Sequence, residues 1–234
     1  MSLADYLTQK RELINEQLKL YVRDYTSPGR LQDAILYSID AGGKRLRPIL
    51  LLATAEAFGA DEEKALGVAC SLEMIHTYSL IHDDLPAMDD DDFRRGFPTN
   101  HRRFDEATAI LAGDALLTLS SQVIVEDPHL SDTERVYLVR ELTRASGANG
   151  MVEGQMMDML SENKEISLEE LEKIHLNKTG QLLRFSIIAG AYLGEATPNS
   201  LKEITKMGDA LGLIFQIQDD ILDVIGDAEK IGKP

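Results

Sequence analysis

His-Thr-Tyr-Ser-Leu-Ile-His-Asp-Asp-Leu-Pro-Ala-Met-Asp-Asp-Asp-Asp-Phe-Arg-Arg, residues 76–95, is the stretch on which the reading of this chain turns. Six aspartates, Asp83, Asp84 and Asp89 to Asp92, fall within ten residues, and Arg94 and Arg95 follow. Two carboxylates ~4 Å apart repel by roughly 4 kcal/mol at an effective dielectric of ~20. Such a cluster must be splayed into water or neutralised by cations. An acidic run is ordinarily a solvated loop, but the residues in front of this one argue otherwise. Leu72, Ile75, Ser79 and Asp83 form a helical stripe, with Met74, Tyr78 and Ile81 beside it. The first two aspartates therefore stand where an apolar helix stops being buried. Oxygen-only ligands suit a hard cation such as magnesium, with phosphate oxygens completing the shell.

Pro86 adds a geometric demand. It lacks an N–H and would crowd the carbonyl of His82, so the helix must kink or end there. On an uninterrupted helix Asp89 would lie ~240° around from Asp83, at ~100° per residue. A distorted turn over 84–88 is needed to bring it back. A second cluster, Asp219, Asp220 and Asp223 in Phe-Gln-Ile-Gln-Asp-Asp-Ile-Leu-Asp, again closes an apolar run. Asp219 and Asp223 are four apart and point the same way on a helix. Two aspartate-rich helix ends could face each other across a cavity and hold several metals.

Working outward, 234 residues suit one large domain or two small ones, and no linker or low-complexity tract suggests a split. The expectation is a single domain over 1–234. A hydrophobic fraction of 44% is ample for a core. A formal net charge of −16 argues against nucleic acid or an anionic membrane as partner. The one cysteine, Cys70, lies in an apolar helical stretch and reads as a core residue in a reducing compartment. No signal peptide is evident and no apolar run approaches the ~20 residues of a membrane span, so no stable membrane insertion and a cytoplasmic location are expected.

Apolar periodicity predicts helix nearly throughout: 3–24, a second helix ending at Gly42-Gly43, one from about Pro48 to Gly59, then 62–84, 105–126, 131–147, 149–162, 167–194 and 199–225. Period-2 strand patterns are scarce, and the class is all-α, a bundle of long helices around a central cavity. Gly147, Gly150 and Gly154 would permit close helix approach, with Gln155 and Asp158 toward the cavity. Gly180, after Lys178-Thr179, is unfavourable in a helix by ~1 kcal/mol relative to alanine and suggests a kink or an exposed carbonyl.

Gly42-Gly43-Lys44-Arg45-Leu46-Arg47-Pro48 places three cations before a helix N-terminus, where outward N–H groups and the helix dipole favour an anion. With this run the chain resembles a known family, the trans-isoprenyl diphosphate (polyprenyl) synthases, and within it the bacterial members that make farnesyl diphosphate. The resemblance rests on that glycine–cation run, on Asp-Asp-x4-Asp with its Arg-Arg, on Lys178-Thr179, and on Phe215-Gln216 leading into Asp-Asp-x2-Asp, in the family's order and spacing from 42 to 233.

The resemblance implies an isoprenoid-synthase-type bundle. It implies a prenyltransferase that condenses isopentenyl diphosphate with dimethylallyl or geranyl diphosphate to farnesyl diphosphate, and a homodimer. Asp83, Asp84, Asp89, Asp219, Asp220 and Asp223 would hold magnesium ions with the allylic diphosphate. Lys44, Arg47, His76 and Arg95 would bind isopentenyl diphosphate, leaving Arg45 as the surface member of the cation run. Arg94 and Lys178 would meet the allylic diphosphate, Thr179 and Gln216 would stabilise the carbocation, and Lys233 would contact substrate. Tyr78, five residues (~7.5 Å at ~1.5 Å per residue) before Asp83 and beside Ser79, would floor the pocket and set chain length.

His82 is read as structural. A phosphohydrolase using His82-Asp83 would call for further histidines, and His101, His129 and His175 stand in no comparable motif. Geranylgeranyl diphosphate synthase and a non-catalytic partner subunit are the alternatives. A terpene cyclase would not need the Lys44/Arg47 site. The family continues past residue 233 with a Gly-Ser-Asp-containing, lysine-rich loop and more helices, so the C-terminal part of the bundle is expected to be missing from these residues.

Overall fold

The structure, a computed structural model, describes residues 1–162 and 164–225, with side chains as far as Ile214. It is helical almost throughout, and the chain divides into two compact units. The first comprises Met1–Ile49 and Leu66–Leu130; the second comprises Leu50–Ala65 and the chain from Ser131 on.

In the first unit, α1 (Leu3–Tyr25) opens on a capping box in which Ser2 and Asp5 satisfy each other's backbone N–H groups. Its buried positions Lys10, Ile14, Leu18 and Val22 recur every four residues. After Ser27-Pro28-Gly29 comes α2 (Arg30–Asp40), burying Ala34, Ile35 and Ile39. Helices α3 (Leu46–Ala57) and α4 (Glu62–Asp83) both run from one unit's share of the chain into the other's. Helix α4 is apolar on every side: Val68, Ala69, Cys70, Leu72, Met74 and Ile75 are all buried. A helix hydrophobic all round is a core helix, and Cys70 is a core residue as expected.

A feature missed from sequence follows. Strands β1 (Phe93–Arg94) and β2 (Phe97–Pro98) pair antiparallel, with Phe93 opposite Pro98 and Arg94 opposite Phe97. Two-residue strands carry no readable alternation. The signal lay in the turn, where Arg95 (φ 54) and Gly96 (φ 81) both have positive φ, as in a type I′ hairpin. The Tyr37 hydroxyl donates to the Pro98 carbonyl at 2.7 Å, tying the hairpin to α2. A short helix α5 (Asn100–Arg103) leads to α6 (Glu106–Glu126), capped by Asp105 accepting from the Thr108 N–H at 2.7 Å. Among the described helices α6 alone is long and apolar enough to cross a membrane, which the sequence reading passed over; half of that stretch is buried within the protein.

In the second unit, α7 (Asp132–Ser146) and α9 (Leu168–His175) each begin with a serine–glutamate capping box, Ser131 with Glu134 and Ser167 with Glu170. Between them lies α8 (Met151–Ser161). Helix α10 (Gln181–Leu193) is buried along most of its length, and α11 spans Pro198–Ile225. Close approach is built on glycine: Gly190 lies against α3 and Gly212 of α11 against Gly180. A Cβ on Gly190 would fall 2.5 Å from the Leu51 carbonyl oxygen and 2.8 Å from the Thr54 Cβ. The Gly190→Ala variant should therefore lose about 1–3 kcal/mol, the usual cost of overpacking a filled core. The check is its urea midpoint against the unmodified protein, and an unchanged midpoint would mean that α3 and α10 yield freely.

Candidate active site: two cation groups and a carboxylate turn

Helix α4 ends at Asp83, three residues before Pro86, and the chain then folds back on itself. The Leu85 N–H donates to the His82 carbonyl at 3.1 Å, and the Met88 and Asp90 N–H groups to the Leu85 carbonyl at 2.9 and 3.1 Å. The Asp89 N–H donates to the Asp83 carbonyl at 2.9 Å. This is the distorted turn the spacing demanded, and it returns Asp89 beside Asp83. The run Asp89 to Asp92 is exposed, and Arg102 braces it at 3.4 Å from Asp90 and 2.5 Å from Asp92. Both ways of relieving carboxylate repulsion, water and a counter-cation, are in use.

Asp84 behaves differently. It is 3% exposed, and Arg94 grips it with Nε at 2.7 Å and Nη2 at 2.5 Å from Oδ1. Burial pushes its carboxyl above the ordinary value, against the pull of Arg94. Two groups that the resemblance assigns to the allylic diphosphate, Asp84 through magnesium and Arg94 directly, thus neutralise each other here. Among the described residues no three His, Cys, Asp or Glu side chains form a ready metal cage.

The hairpin separates the two arginines. Arg94, in β1, turns to Asp84; Arg95, at the turn, donates to the Gly42 carbonyl. The Arg95 guanidinium lies over Gly43 (φ +141), where a Cβ would fall 2.6 Å from Nη1. At that φ any L side chain would be strained, which favours glycine. Arg47 Nη1 is 3.3 Å from His76 Nε2. Of the four residues grouped from sequence, the structure therefore brings Arg47 to His76 and Arg95 to the glycine turn, with Lys44 exposed at the same connection. Burial first, then the guanidiniums of Arg47, Arg95, Arg45 and Arg94, hold the half-buried His76 imidazole well below its usual value.

Arg45 corrects an expectation: placed at the surface from sequence, it is 3% exposed. Its Nη1 meets Glu73 Oε1 at 2.7 Å, its Nη2 the Ile39 carbonyl at 2.7 Å, and its Nε the Asn15 Oδ1 at 2.8 Å. Sequence reasoning missed Glu73 and Asn15. A lone acid deep in an apolar helix was the signal for a buried partner.

Tyr78 is 6% exposed and meets the His82 ring edge-on at 5.7 Å between centroids. Burial, then the charge of Asp83, raises its hydroxyl pKa. Ser79 Oγ donates to the His76 carbonyl at 2.9 Å. The His82 Nε2 lies 3.1 Å from the Ile110 carbonyl, with the ring against Gly113, so His82 joins α4 to α6 as a structural residue.

In the second unit the disturbance expected at Gly180 takes the form of a π-helical turn, Leu176–Gly180, between α9 and α10. Such turns occur frequently at functional sites. It carries Lys178 and Thr179. Lys178 Nζ pairs with Asp158 Oδ2 at 2.6 Å, and Gly154 of α8 lies against the Lys178 backbone. The Gln155 Nε2 is buried with no partner among the described residues. Gln216, Asp219, Asp220 and Asp223 belong to α11, but their side chains lie outside the described residues, as does Lys233 altogether.

Residues 28–234 match the family model described as polyprenyl synthetase. The chain belongs to the polyprenyl synthetase family. It is 50% identical over 236 residues to the farnesyl diphosphate synthase of Geobacillus stearothermophilus, covering 100% of this chain and 80% of that one. It is 50% identical over 235 residues to the farnesyl diphosphate synthase of Bacillus subtilis, covering 99% and 79%. The crystal structure of an FPP/GFPP synthase from Zymomonas mobilis superposes with a TM-score of 0.88 at 39% identity, covering 97% of this chain and 84% of that one. Family membership and all-α architecture agree with the sequence reading.

The depressed His76 value has a measurable consequence for this family member. A histidine in the unfolded chain titrates near about 6.5. As pH falls below that, the unfolded state takes a proton that folded His76 refuses. Stability present above about pH 6.5 is therefore lost toward the folded value, by at most about 1.4 kcal/mol per pH unit. His76→Gln should flatten the melting temperature between about pH 7 and 5; an unaltered slope would assign that loss to other groups.

Proposed function

We propose that the chain is a short-chain trans-prenyltransferase that condenses isopentenyl diphosphate with dimethylallyl or geranyl diphosphate to give farnesyl diphosphate. The observation that carries this reading is the gathering of Arg47 and Arg95 near His76, with Arg95 donating to the Gly42 carbonyl, in the same unit as the carboxylate turn at Asp83 and Asp89. One cation group and one carboxylate group suit two diphosphates that must be told apart. A neutral His76 donates or accepts one hydrogen bond beside guanidiniums that carry the charge.

Asp83, Asp84 and Asp89 would hold magnesium with the allylic diphosphate, and Asp219, Asp220 and Asp223 are assigned the same role by family resemblance. All are oxygen donors, as the ion requires. Bound magnesium would supply charge neutralisation for the leaving diphosphate. Arg94 and Lys178 are assigned to that diphosphate too; each now rests on a carboxylate, Asp84 or Asp158, that substrate oxygens would replace.

The allylic C–O bond breaks with its electron pair leaving on the diphosphate. The double bond of isopentenyl diphosphate supplies the pair for the new C–C bond, and a proton is then lost. By resemblance to the family, the departing diphosphate takes that proton. Thr179 and Gln216 stabilise the cation through their dipoles, and Lys44 and Lys233 serve substrate diphosphate. We further propose one synthase domain working as a homodimer in the cytoplasm.

Asp83→Ala or Asp219→Ala in the complete protein should lower turnover of labelled isopentenyl diphosphate by at least about 100-fold, the scale for losing charge stabilisation at a leaving group. Near-normal rates in both variants would remove the carboxylate motifs from the chemistry. Product length is assigned to the buried Tyr78, with Ser79 beside it. A filled floor opposes elongation by roughly 1–3 kcal/mol, about five- to 150-fold in selectivity. Tyr78→Ala should shift the output from farnesyl to geranylgeranyl or longer products on chain-length separation. An unchanged farnesyl output would place the floor elsewhere.

A further inference from the structure

Arg45 sits two residues from Arg47, yet the two cations face opposite ways in burial and in partners. The Arg45 backbone is left-handed, with φ 50. Its guanidinium is shared among three helices or their ends: Asn15 of α1, the Ile39 carbonyl near the end of α2, and Glu73 of α4. Glu73 stands three residues before His76, close to one turn of the same helix. Both side chains of the Arg45–Glu73 pair are almost wholly buried, at 1% and 3% exposure.

A buried ion pair is weak evidence for stability, because desolvating both charges offsets their attraction. A fork with three separate acceptors does something else well: it fixes geometry. Lysine, with a single ammonium, could not reach all three. The pair also neutralises Glu73, whose bare carboxylate, close enough to act on Arg95, would compete with an incoming anion for that cation.

We propose that Arg45 and Glu73 are positioning residues. They lock the 42–47 connection so that Arg47 and Arg95 stand ordered near His76, with Lys44 held at the same connection, before a diphosphate arrives. This rests on the prenyl-transfer reading, since the anion positioned for is isopentenyl diphosphate. Ordering the cations in advance removes a cost that binding would otherwise carry.

The test is calorimetric binding to the complete protein, alongside thermal melting. Replacing both partners with apolar residues, Arg45→Met with Glu73→Leu, removes the fork without leaving a bare buried charge. This double variant should melt close to the unmodified protein and bind isopentenyl diphosphate about tenfold more weakly. Its affinity for geranyl diphosphate with magnesium should change less than about twofold, on the same scale. Arg45→Lys, which keeps the charge pair and loses the fork, should fall between.

If the double variant melts low, Arg45→Lys decides. A folded variant that binds isopentenyl diphosphate like the unmodified protein, or loses both ligands equally, overturns the proposal. Failure of the unmodified protein to bind isopentenyl diphosphate would instead overturn the prenyl-transfer reading, and the positioning role with it. Binding without turnover in the unmodified protein would remove the reaction and leave the positioning role standing.

Discussion

Helix α4 is apolar on every side and ends in carboxylates, and most of the first unit is arranged to make that possible. Its buried length, through Val68, Leu72, Met74 and Ile75, fixes where the helix lies. Everything polar on it must then find a partner or a way out. Glu73 takes Arg45, and Asp84 takes Arg94. Asp83 marks the point where the helix stops, and Pro86 prevents it from continuing. The fold-back that carries the Asp89 N–H to the Asp83 carbonyl follows from those limits.

The cations divide by the same logic. Three of them in four residues, Lys44, Arg45 and Arg47, end in different environments because the backbone between them is turned by Gly42, Gly43 and the left-handed Arg45. One is exposed, one is buried in an ion pair, and one rests on an imidazole. Arg94 and Arg95 diverge for a comparable reason, the type I′ turn at Arg95-Gly96. Adjacent like charges are separated by backbone geometry rather than by distance along the chain.

In the second unit the corresponding constraint is close packing. Gly154 against the Lys178 backbone and Gly212 against Gly180 let α8 and α11 approach the π-helical turn from separate helices. That turn places Lys178 within reach of Asp158.

Much of this was legible in the sequence. Apolar periodicity located the long helices to within a residue or two, since burial of one face at 3.6 residues per turn is a local property of the chain. Pro86 and the aspartate spacing required a distorted turn, and Gly180 suggested a disturbed helix, because steric and propensity limits also act locally. Family membership rested on motifs whose order is itself sequence. What only the tertiary structure decided is how charges are shared across distant segments. Arg45 looked like a surface cation until Glu73, Asn15 and the Ile39 carbonyl surrounded it. Arg94 and Asp84 looked like separate contacts to one diphosphate until they met each other. The hairpin had strands too short to carry a pattern, and α6 matched a membrane span in composition while half of it is packed inside the protein. For the charges the deciding quantity is the local dielectric and the nearest polar partner, and those are set by residues 6 to 53 positions away that come together only on folding.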